Sequence, residues 1–242
     1  MRIQQQSHSM YDQPIPTAHD VDWGRVYDLP IINSDDPLQD TKLLLKYGVF
    51  TSPAYYLQGI QGALNECYIR ASLIQRLEYA ASFLPKGIHL LVLDGWRPYK
   101  VQMALRASFA NFIQKNYADL SAYKQLELLN QFVAEPSTDV FKPSPHLTGG
   151  SVDVTLCDDQ GNPLDLGTAF DEISTQSYSH AFENTQHVSI QAHRRMLYWS
   201  MVQSGFSNLP SEWWHFDYGN QLWAHHYNMP SAHYGVVSLL DH

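Results

Sequence analysis

Residues 144–156 read SPHLTGGSVDVTL, and this stretch decides the fold of the chain. Its first half, with a proline before His146 and two glycines after it, has the composition of a loop that can turn sharply. Its second half alternates apolar and polar residues with the period of two that a strand requires, and Asp153 falls on the polar side. The sequence therefore predicts a loop that leads directly into a strand, with an imidazole on the loop and a carboxylate on the strand.

A second strand is predicted where residues 213–218 read WWHFDY. Alternation puts Trp214, Phe216 and Tyr218 on one side and both His215 and Asp217 on the other. Glu212 lies three residues before His215, and on a regular strand these two side chains would face opposite ways. If both serve one site, Glu212 must lie in the turn before the strand begins. Two neighbouring strands can then present Asp153 and His215 to one point.

Together these segments supply the donors of a catalytic zinc site, which usually has three nitrogen and oxygen ligands, an open fourth position and a nearby base. The candidate ligands are His146, Asp153 and His215, and the candidate base is Glu212. Each pair alone is weak evidence, because loop histidines and surface carboxylates are common without a metal. The remaining histidines, out of 12 in the chain, are predicted to have no metal role.

A third segment, DGWRP at residues 94–98, follows a short run at 88–93 that is apolar on both sides apart from His89. Such a run predicts a central strand that is covered on both faces. Pro98 suits the first turn of a helix, so Arg97 would stand at a rigid junction between strand and helix. An arginine at this position either pairs with a structural carboxylate or serves the site, and the pattern leaves both roles open.

Helices and short strands are predicted around these segments. Apolar residues at spacings of three and four predict amphipathic helices, with capping and breaking residues near their ends, at 63–84, 98–113, 121–132 and 187–203. Short strands bounded by turn-forming residues are expected at 28–32 and 49–51.

Antiparallel strands with helices before and between them predict an α+β fold. We expect a small, mostly antiparallel central sheet that carries the zinc site and is flanked by helices. No stretch has the composition of a linker, so residues 1–242 are predicted to form a single domain. Within it, residues 1–60 would be an irregular N-terminal part and residues 63–219 the core that bears the motifs.

Composition limits the classes of partner. The formal net charge is −9 with only 15 lysines and arginines, whereas nucleic acid and anionic membranes require basic surfaces, so neither is expected as a partner. No apolar run approaches the roughly 20 residues that span a bilayer, and the N-terminus lacks the apolar core of a signal peptide. A cytoplasmic location is therefore expected. Cys67 and Cys157 are too few for a disulfide framework and are expected to be buried apolar fillers.

The three motifs, in this order and rough spacing, resemble those of the D-alanyl-D-alanine dipeptidases. That family has Ser-x-His-x-x-Gly-x-Ala-x-Asp, a later Glu-x-Trp-His, and Gly followed by Trp or Tyr, Arg and Pro upstream. It is the VanX-like branch of the zinc D,D-peptidases, which share an α+β fold with lysostaphin-type and hedgehog-type domains. The resemblance extends over about residues 63–219. It implies one Zn²⁺ per chain, bound by His146, Asp153 and His215, with Glu212 as general base and acid.

The resemblance also implies roles for three further residues. Arg97 would stabilise the transition state, in which amide hydrolysis develops an oxyanion. Asp171 and Ser144 would lie close to the substrate. In a dipeptide the free amine requires a carboxylate, for which Asp171 is the candidate, and the free carboxylate requires donors such as the Ser144 hydroxyl. Ser151 departs from the family, which usually has alanine at this position. This change concerns local packing or substrate preference more than metal binding.

Three functions remain open from the sequence. The first is zinc-dependent hydrolysis of D-alanyl-D-alanine or a closely related dipeptide. The second is a D,D-carboxypeptidase or endopeptidase that acts on peptidoglycan peptides, which needs an open cleft and an export route. The third is a zinc-containing binding module without catalysis, and the presence of both Glu212 and Arg97 argues against it. A homo-oligomer is compatible with all three.

Overall fold

A five-stranded sheet carries the segment that decides the fold. The computed structural model describes residues 10–18 and 20–239. Its strands, in chain order, are β1 (Leu38–Asp40), β2 (Val49–Thr51), β3 (Tyr68–Arg70), β4 (His89–Asp94), β5 (Ser151–Cys157), β6 (Ser207–Asn208) and β7 (His215–Asp217). The sheet has the spatial order β2-β4-β5-β7-β6, and β1 pairs with β3 in a separate two-stranded sheet. The candidate ligand strands β5 and β7 are therefore neighbours.

Helices precede, separate and follow the strands along the chain. They are α1 (Trp23–Tyr27), α2 (Ala54–Leu57), α3 (Ala71–Ser82), α4 (Tyr99–Asn116), α5 (Ala122–Phe132), α6 (Val188–Gln203) and α7 (Gln221–His226). The protein thus mixes helices and strands, as predicted. The prediction for the sheet is met in part: the pairs β4–β5, β5–β7 and β7–β6 are antiparallel, but β2 pairs with β4 in parallel.

Alternation gives the sheet one apolar face and one mixed face. Val92, Val154 and Phe216 point to the same side, where they are fully buried in one cluster with Leu77 of α3 and Leu197 of α6. Burying such a side chain stabilises the fold by roughly 1.5–3 kcal/mol. The apolar residues of β5 and β7 therefore fix which face lies against α3 and α6. Their polar neighbours in sequence, including the candidate ligands, must then point to the opposite face.

A bulge in β4 changes the face on which its last residue lies. Val92 pairs with Val154, but Asp94 pairs with Asp153, so Leu93 is an extra residue on β4. If β4 continued as a regular strand through Leu93, Asp94 would share the face of Val92 and lie among apolar side chains, because alternate residues share a face. Bulges re-aim side chains in this way next to active sites. Here the bulge brings Asp94 to the side of Asp153.

Most of the predicted helices are confirmed. The prediction at 98–113 corresponds to α4, and the prediction at 187–203 corresponds to α6, which Gly205 follows with φ of +88°. The prediction at 121–132 corresponds to α5, whose N-cap is Ser121 with its side chain accepting from the Lys124 backbone N–H. Capping and breaking residues therefore located these helix ends well.

The helix predicted at 63–84 is wrong in its first part, because α3 begins only at Ala71. Residues 68–70 instead form β3, which pairs antiparallel with β1. Cys67 and Ile69 are buried, whereas Tyr68 between them is only partly buried, which is the period of two of a strand. The spacing of three and four in this part of the sequence combines apolar residues that are buried in separate elements.

Arg70 ties together three distant parts of the chain. This buried guanidinium donates from Nε to the carbonyl of Thr148 at 2.7 Å, from Nη1 to that of Asp36 at 2.7 Å and from Nη2 to that of Gly235 at 2.9 Å. Asp36 precedes β1, Thr148 ends the turn that contains His146, and Gly235 belongs to the C-terminal tail. The buried charge is thus satisfied by backbone carbonyls, as buried polar groups require.

The N-terminal part is more regular than predicted. Between residues 20 and 60 the chain forms α1, β1, β2 and α2, and the strand expected at 49–51 is β2. In the strand expected at 28–32, only Ile31 forms a bridge, with Ala232. Residues 1–9, which fall in this part, lie outside the described residues. The assignment of the whole chain to a single domain with its core at 63–219 stays a prediction.

Two further findings bear on the predicted protein class. Among the described residues, no helix combines the length and the apolar composition needed to cross a membrane. Cys67 and Cys157 are free and buried, as expected of apolar fillers. Burial raises the pKa of the Cys157 thiol to about 12, so this thiol stays protonated and unreactive near neutral pH.

We expect the substitution Gly95→Ala to destabilise the protein, because a Cβ there would collide with the Tyr68 carbonyl and lie 3.0 Å from Ile69 Cγ2. Overpacking of this kind typically costs about 1–3 kcal/mol in the free energy of unfolding, which chemical denaturation would measure. A matched control is Gly235→Ala, where the nearest atom to a Cβ would be Ile31 Cγ2 at 3.2 Å. Equal losses for both variants would contradict the steric explanation.

Candidate metal centre and active site

Strand register places three of the site's side chains in one row. Asp153 on β5 lies opposite both Asp94 on β4 and His215 on β7. Residues directly opposite on neighbouring antiparallel strands have Cβ atoms about 4.5–5.5 Å apart and share a face. His215 Nδ1 is accordingly 3.2 Å from Asp153 Oδ1. The alternation seen in the sequence therefore brings Asp153 and His215 to one point, as predicted.

His146 reaches the same point from a 3-10 turn, Pro145–Thr148. Gly149 follows this turn with φ of +70°, and a Cβ there would lie 2.7 Å from Leu38 Cδ2. Glycine is therefore required for the chain to turn at once into β5. His146 Nε2 comes to 3.4 Å from Asp153 Oδ1. The predicted loop that turns sharply into a strand is confirmed.

The outer nitrogen of each imidazole is held by an acceptor. His146 Nδ1 lies 2.7 Å from the Gly95 carbonyl oxygen, and His215 Nε2 lies 3.0 Å from Asp217 Oδ1. An acceptor at this position fixes the proton on the outer nitrogen and leaves the lone pair on the inner one, an arrangement typical of metal-binding histidines. The two inner nitrogens are 3.1 Å apart. Two lone pairs and a carboxylate oxygen thus converge.

This donor set fits a metal ion. One ligand atom each from His146, Asp153 and His215 lies within 4.8 Å of the others, and all three residues are buried. Asp153 Oδ1 is also buried without a hydrogen-bond partner, which is costly unless a cation or proton satisfies it. Two imidazole nitrogens and one carboxylate oxygen are ligands that Zn²⁺ prefers. These atoms are all acceptors and lie close together, so a proton must bind between them when no metal is present. The ion would take the place of that proton.

In the metal-free protein, the close approach of these carboxylates and imidazoles also shifts the pKa values of Asp153 and His215. Burial disfavours the charged form of Asp153, but the imidazoles of His146 and His215 outweigh it and hold the pKa of this carboxyl well below its usual range. Burial also disfavours a charged His215, but Asp217 and Asp153 raise the pKa of this imidazole well above its ordinary value. Without a metal, a proton on His215 therefore compensates the carboxylates. Metal binding at such a site releases that proton.

Glu212 lies in the turn before β7, as predicted, and not on the strand. Its carbonyl oxygen accepts from Asn208 Nδ2 at 3.1 Å, which fixes the turn. Its Oε2 is 3.8 Å from His215 Nδ1, and its side chain is only 13% exposed. Burial raises the pKa of Glu212 to about 8 in the metal-free protein, and Asp153 acts in the same direction. A carboxylate whose pKa lies near neutral pH is suited to take and return a proton.

Arg97 pairs with buried carboxylates and also lines the site, so its position is compatible with both of the roles that the sequence left open. Its Nε donates to Asp94 Oδ2 at 2.8 Å, its Nη1 to Gln102 Oε1 at 2.8 Å, and its Nη2 to the Tyr55 hydroxyl and Asp153 Oδ2, each at 3.2 Å. Burial lowers the pKa of Arg97, but Tyr55 and the two aspartates raise it above its ordinary value, so the guanidinium stays charged.

Asp171 faces the site from the loop after β5. Its φ of +62° lies in the left-handed region, which aspartate tolerates better than most residues. Its Oδ2 is buried without a hydrogen-bond partner, and the Tyr55 hydroxyl bonds to its carboxyl group. Burial raises the pKa of Asp171 to about 7, with Asp153 acting in the same direction. An unsatisfied buried carboxyl oxygen at this position can accept from a ligand.

A cavity of about 770 Å³ joins these groups. The metal-binding candidates lie on its wall together with Arg97, Ser144, Asp171 and Glu212. Ser144 precedes the turn that contains His146, and its hydroxyl does not cap that turn. Residues of α1 and α5 and of the segments beside them form the other wall, including Trp23, Tyr27, Lys124, Glu127 and Gln131. The seven residues predicted from the sequence thus all meet at one cavity.

Comparison with known proteins identifies the family. Residues 36–234 match the peptidase M15 family, described as D-ala-D-ala dipeptidase. The chain belongs to this family. A D-alanyl-D-alanine dipeptidase of Synechocystis sp. is 32% identical over 194 residues, which cover 70% of this chain and 78% of the relative. One of Escherichia coli is 29% identical over 182 residues, covering 74% and 79%, and one of Enterococcus faecium is 30% identical over 146 residues, covering 60% and 68%.

Membership of the peptidase M15 family confirms the resemblance seen in the motifs. It also confirms the predicted enzyme class, a metallopeptidase. The roles of the individual residues, as ligands, base, transition-state stabiliser and substrate contacts, stay predictions, and the geometry above shows only where those residues lie.

Besides Tyr55, which contacts Arg97 and Asp171, three residues of the site have no role predicted from the sequence. Asp94 Oδ2 accepts from Arg97 Nε and also lies 3.4 Å from His146 Nδ1. The sequence feature that could have indicated it is a carboxylate at the end of a buried strand, three residues before an arginine. Alternation in the sequence puts Asp217 on the polar side of β7 but does not indicate a function for it. Gln102 bonds Arg97 from within α4, where a buried polar residue one position from Val101 carries little signal.

We expect His146→Ala to abolish stoichiometric metal binding, because a three-ligand site then retains only two protein ligands. Zinc added to the metal-free wild-type protein should raise its melting temperature, since a ligand that binds only the folded state stabilises it. The variant should show little or no shift. His193→Ala is the matched control, because His193 is only partly buried, lies outside the cavity, and has its Nδ1 2.8 Å from the Asp165 carbonyl oxygen. Equal metal content in the wild type and His146→Ala would refute the site.

Proposed function

We propose that this chain hydrolyses D-alanyl-D-alanine or a closely related dipeptide to free amino acids, with one Zn²⁺ per chain. The observation that supports it best is the convergence of His146, Asp153 and His215 beside Glu212 at the wall of one cavity. Family membership and the names of the relatives support the substrate.

His146 and His215 would bind the ion through Nε2 and Nδ1, and Asp153 through Oδ1. When bound there, zinc lowers the pKa of a water molecule toward about 7 and polarises a carbonyl group. Glu212 would take the proton of the attacking water and deliver it to the leaving amine. Its position in the turn before β7, 3.8 Å from a ligand nitrogen, supports this role.

Arg97 would place a fixed positive charge beside the reacting carbonyl. An arginine has five N–H donors, and the acceptors named above account for one on Nε, one on Nη1 and both on Nη2. Among the described residues, these contacts leave one Nη1 hydrogen of Arg97 without an acceptor. That hydrogen could donate to the developing oxyanion. The bonds to Asp94 and Gln102 hold the guanidinium rigid, so it needs no reorganisation during the reaction.

Asp171 and Ser144 would bind the two ends of the dipeptide. The unsatisfied Oδ2 of Asp171 suits the free ammonium group, with which a carboxylate makes a charge-assisted hydrogen bond. The hydroxyl of Ser144 would donate to the free carboxylate. Because Asp171 and Ser144 lie on the same cavity as the metal-binding candidates, a short substrate can contact all of them.

We expect Glu212→Gln to lower kcat by about 10²–10⁴-fold, the usual contribution of a general base. The amide keeps the shape of the side chain but cannot accept the proton, so zinc content should not change. The measurement is the release of D-alanine from D-alanyl-D-alanine, alongside metal analysis. Glu78→Gln on α3, where the glutamate is partly buried and does not line the cavity, is the control and should retain full activity. Wild-type kcat in a zinc-replete Glu212→Gln protein would exclude Glu212 as the base.

We expect Asp171→Asn to lower kcat/KM for D-alanyl-D-alanine by roughly 10- to 100-fold, the effect of losing a hydrogen bond to a charged group. Asparagine also tolerates the left-handed backbone, so the loop should keep its shape. N-acetyl-D-alanyl-D-alanine, which has no ammonium group, provides the test. The wild type should prefer the free dipeptide, and the variant should lose that preference; an unchanged preference would remove Asp171 from the amine site.

A second candidate is removal of the terminal D-alanine from longer peptides, and the size of the cavity supports it. At about 770 Å³ the cavity is in the upper range of pockets that take drug-sized ligands, and it reaches α1 and α5. A dipeptide fills only part of such a space. Comparing kcat/KM for D-alanyl-D-alanine with that for a pentapeptide ending in the same two residues would decide between the two functions.

A further inference from the structure

Asp217 is the acceptor of a buried network directly behind the metal-binding candidates. Its Oδ1 accepts from the Ser151 hydroxyl at 2.7 Å and from Asn220 Nδ2 at 2.6 Å, and it lies 3.0 Å from His215 Nε2. All four residues are buried, with Ser151 0% and Asp217 1% exposed. The proposed function uses His215 but assigns nothing to Ser151, Asp217 or Asn220.

The direction of every hydrogen bond in this network is determined. Asn220 is the N-cap of α7, and its Oδ1 accepts from the Trp223 backbone N–H at 3.0 Å, so its amide nitrogen must face Ser151 and Asp217. Asn220 Nδ2 donates to Ser151 Oγ at 2.9 Å, so the hydroxyl hydrogen of Ser151 is directed to Asp217. Asp217 then accepts the proton on His215 Nε2, and His215 Nδ1 keeps its lone pair.

The fold builds this network from two fixed elements. Ser151 and Asp217 are directly opposite each other on β5 and β7. They lie two residues along these strands from the opposed pair Asp153 and His215. Asn220 is fixed by the start of α7. Neither donor can move without disturbing the strand register or the helix end. The carboxylate of Asp217 is therefore held from two sides, and the His215 ring can tilt only if that carboxylate moves.

We propose that Ser151 and Asn220 are positioning residues, which hold the Asp217 carboxylate so that it fixes the tautomer and orientation of His215 toward the metal. This inference rests on the proposed zinc site. It gives a function to the serine at position 151, where the family that this chain resembles usually has alanine. An alanine would leave Asp217 with Asn220 as its only donor besides His215. The additional hydroxyl of this chain therefore acts on the affinity for the metal, whereas the sequence alone associated this position with local packing or substrate preference.

The test measures the zinc dissociation constant by competition with a chromophoric chelator, for the wild type, Ser151→Ala, Asp217→Asn and the double variant. Loss of a direct partner of a metal ligand weakens metal binding by about 10–100-fold, which we expect for Asp217→Asn. Ser151→Ala should weaken it less, by about 3- to 10-fold, because Asn220 still holds the carboxylate. The double variant should bind no more weakly than Asp217→Asn, since Ser151 acts through Asp217.

Thr155→Val is the matched control, because Thr155 is buried on the same strand and on the same side as Ser151, but outside the network. It should leave the zinc dissociation constant unchanged. Chemical denaturation of each metal-free variant measures its free energy of unfolding. A merely structural role would lower that free energy without changing the zinc dissociation constant.

Unchanged zinc affinity in Ser151→Ala, or additive effects in the double variant, would overturn the positioning role alone. A wild type that binds no zinc would overturn both this inference and the proposed function. A wild type that binds zinc and shows the expected order of affinities, but hydrolyses no D,D-peptide, would support the network and refute only the proposed function.

Discussion

The structure depends on the pairing of Asp153 with a neighbour on each side, Asp94 on β4 and His215 on β7. This pairing puts carboxylates and an imidazole in one row inside the protein, where His146 adds a second imidazole. Like charges and lone pairs at these distances repel one another in a poorly solvated site. The arrangement is stable only if positive charge lies among them. Arg97 supplies one such charge, and a metal ion bound by the candidate ligands would supply another.

The two oxygens of Asp153 face different groups, Arg97 on one side and the other two candidate metal ligands on the other. Oδ2 accepts from Arg97, whereas Oδ1 faces the imidazole nitrogens. Asp94 lies on the other side of Arg97 and links it to His146. The backbone completes the arrangement: Gly95 offers its carbonyl to His146, and the turn before β7 holds Glu212. A group of acidic residues that would otherwise be destabilising is thereby held in a single geometry.

Much of this site follows from short-range sequence patterns. Alternation in β5 and β7 predicted that Asp153 and His215 share a face, and the glycines after His146 predicted a sharp turn. The parallel pairing of β2, the bulge at Leu93 and hence the position of Asp94 were not predictable, because they depend on contacts between strands far apart in sequence. The overlong helix at 63–84 has the same origin: pairing with β1 overrides the local apolar spacing.

The three carbonyl groups that hold Arg70 also bear on the order of folding. They belong to residues 36, 148 and 235, so the guanidinium has all three partners only after residue 235 has been synthesised. A buried charge without its acceptors is costly, and Thr148 lies in the turn that contains His146. We therefore expect that turn to reach its final form only after the segment around residue 235 has packed. A nascent chain on the ribosome would carry the candidate ligands but not yet an assembled metal site.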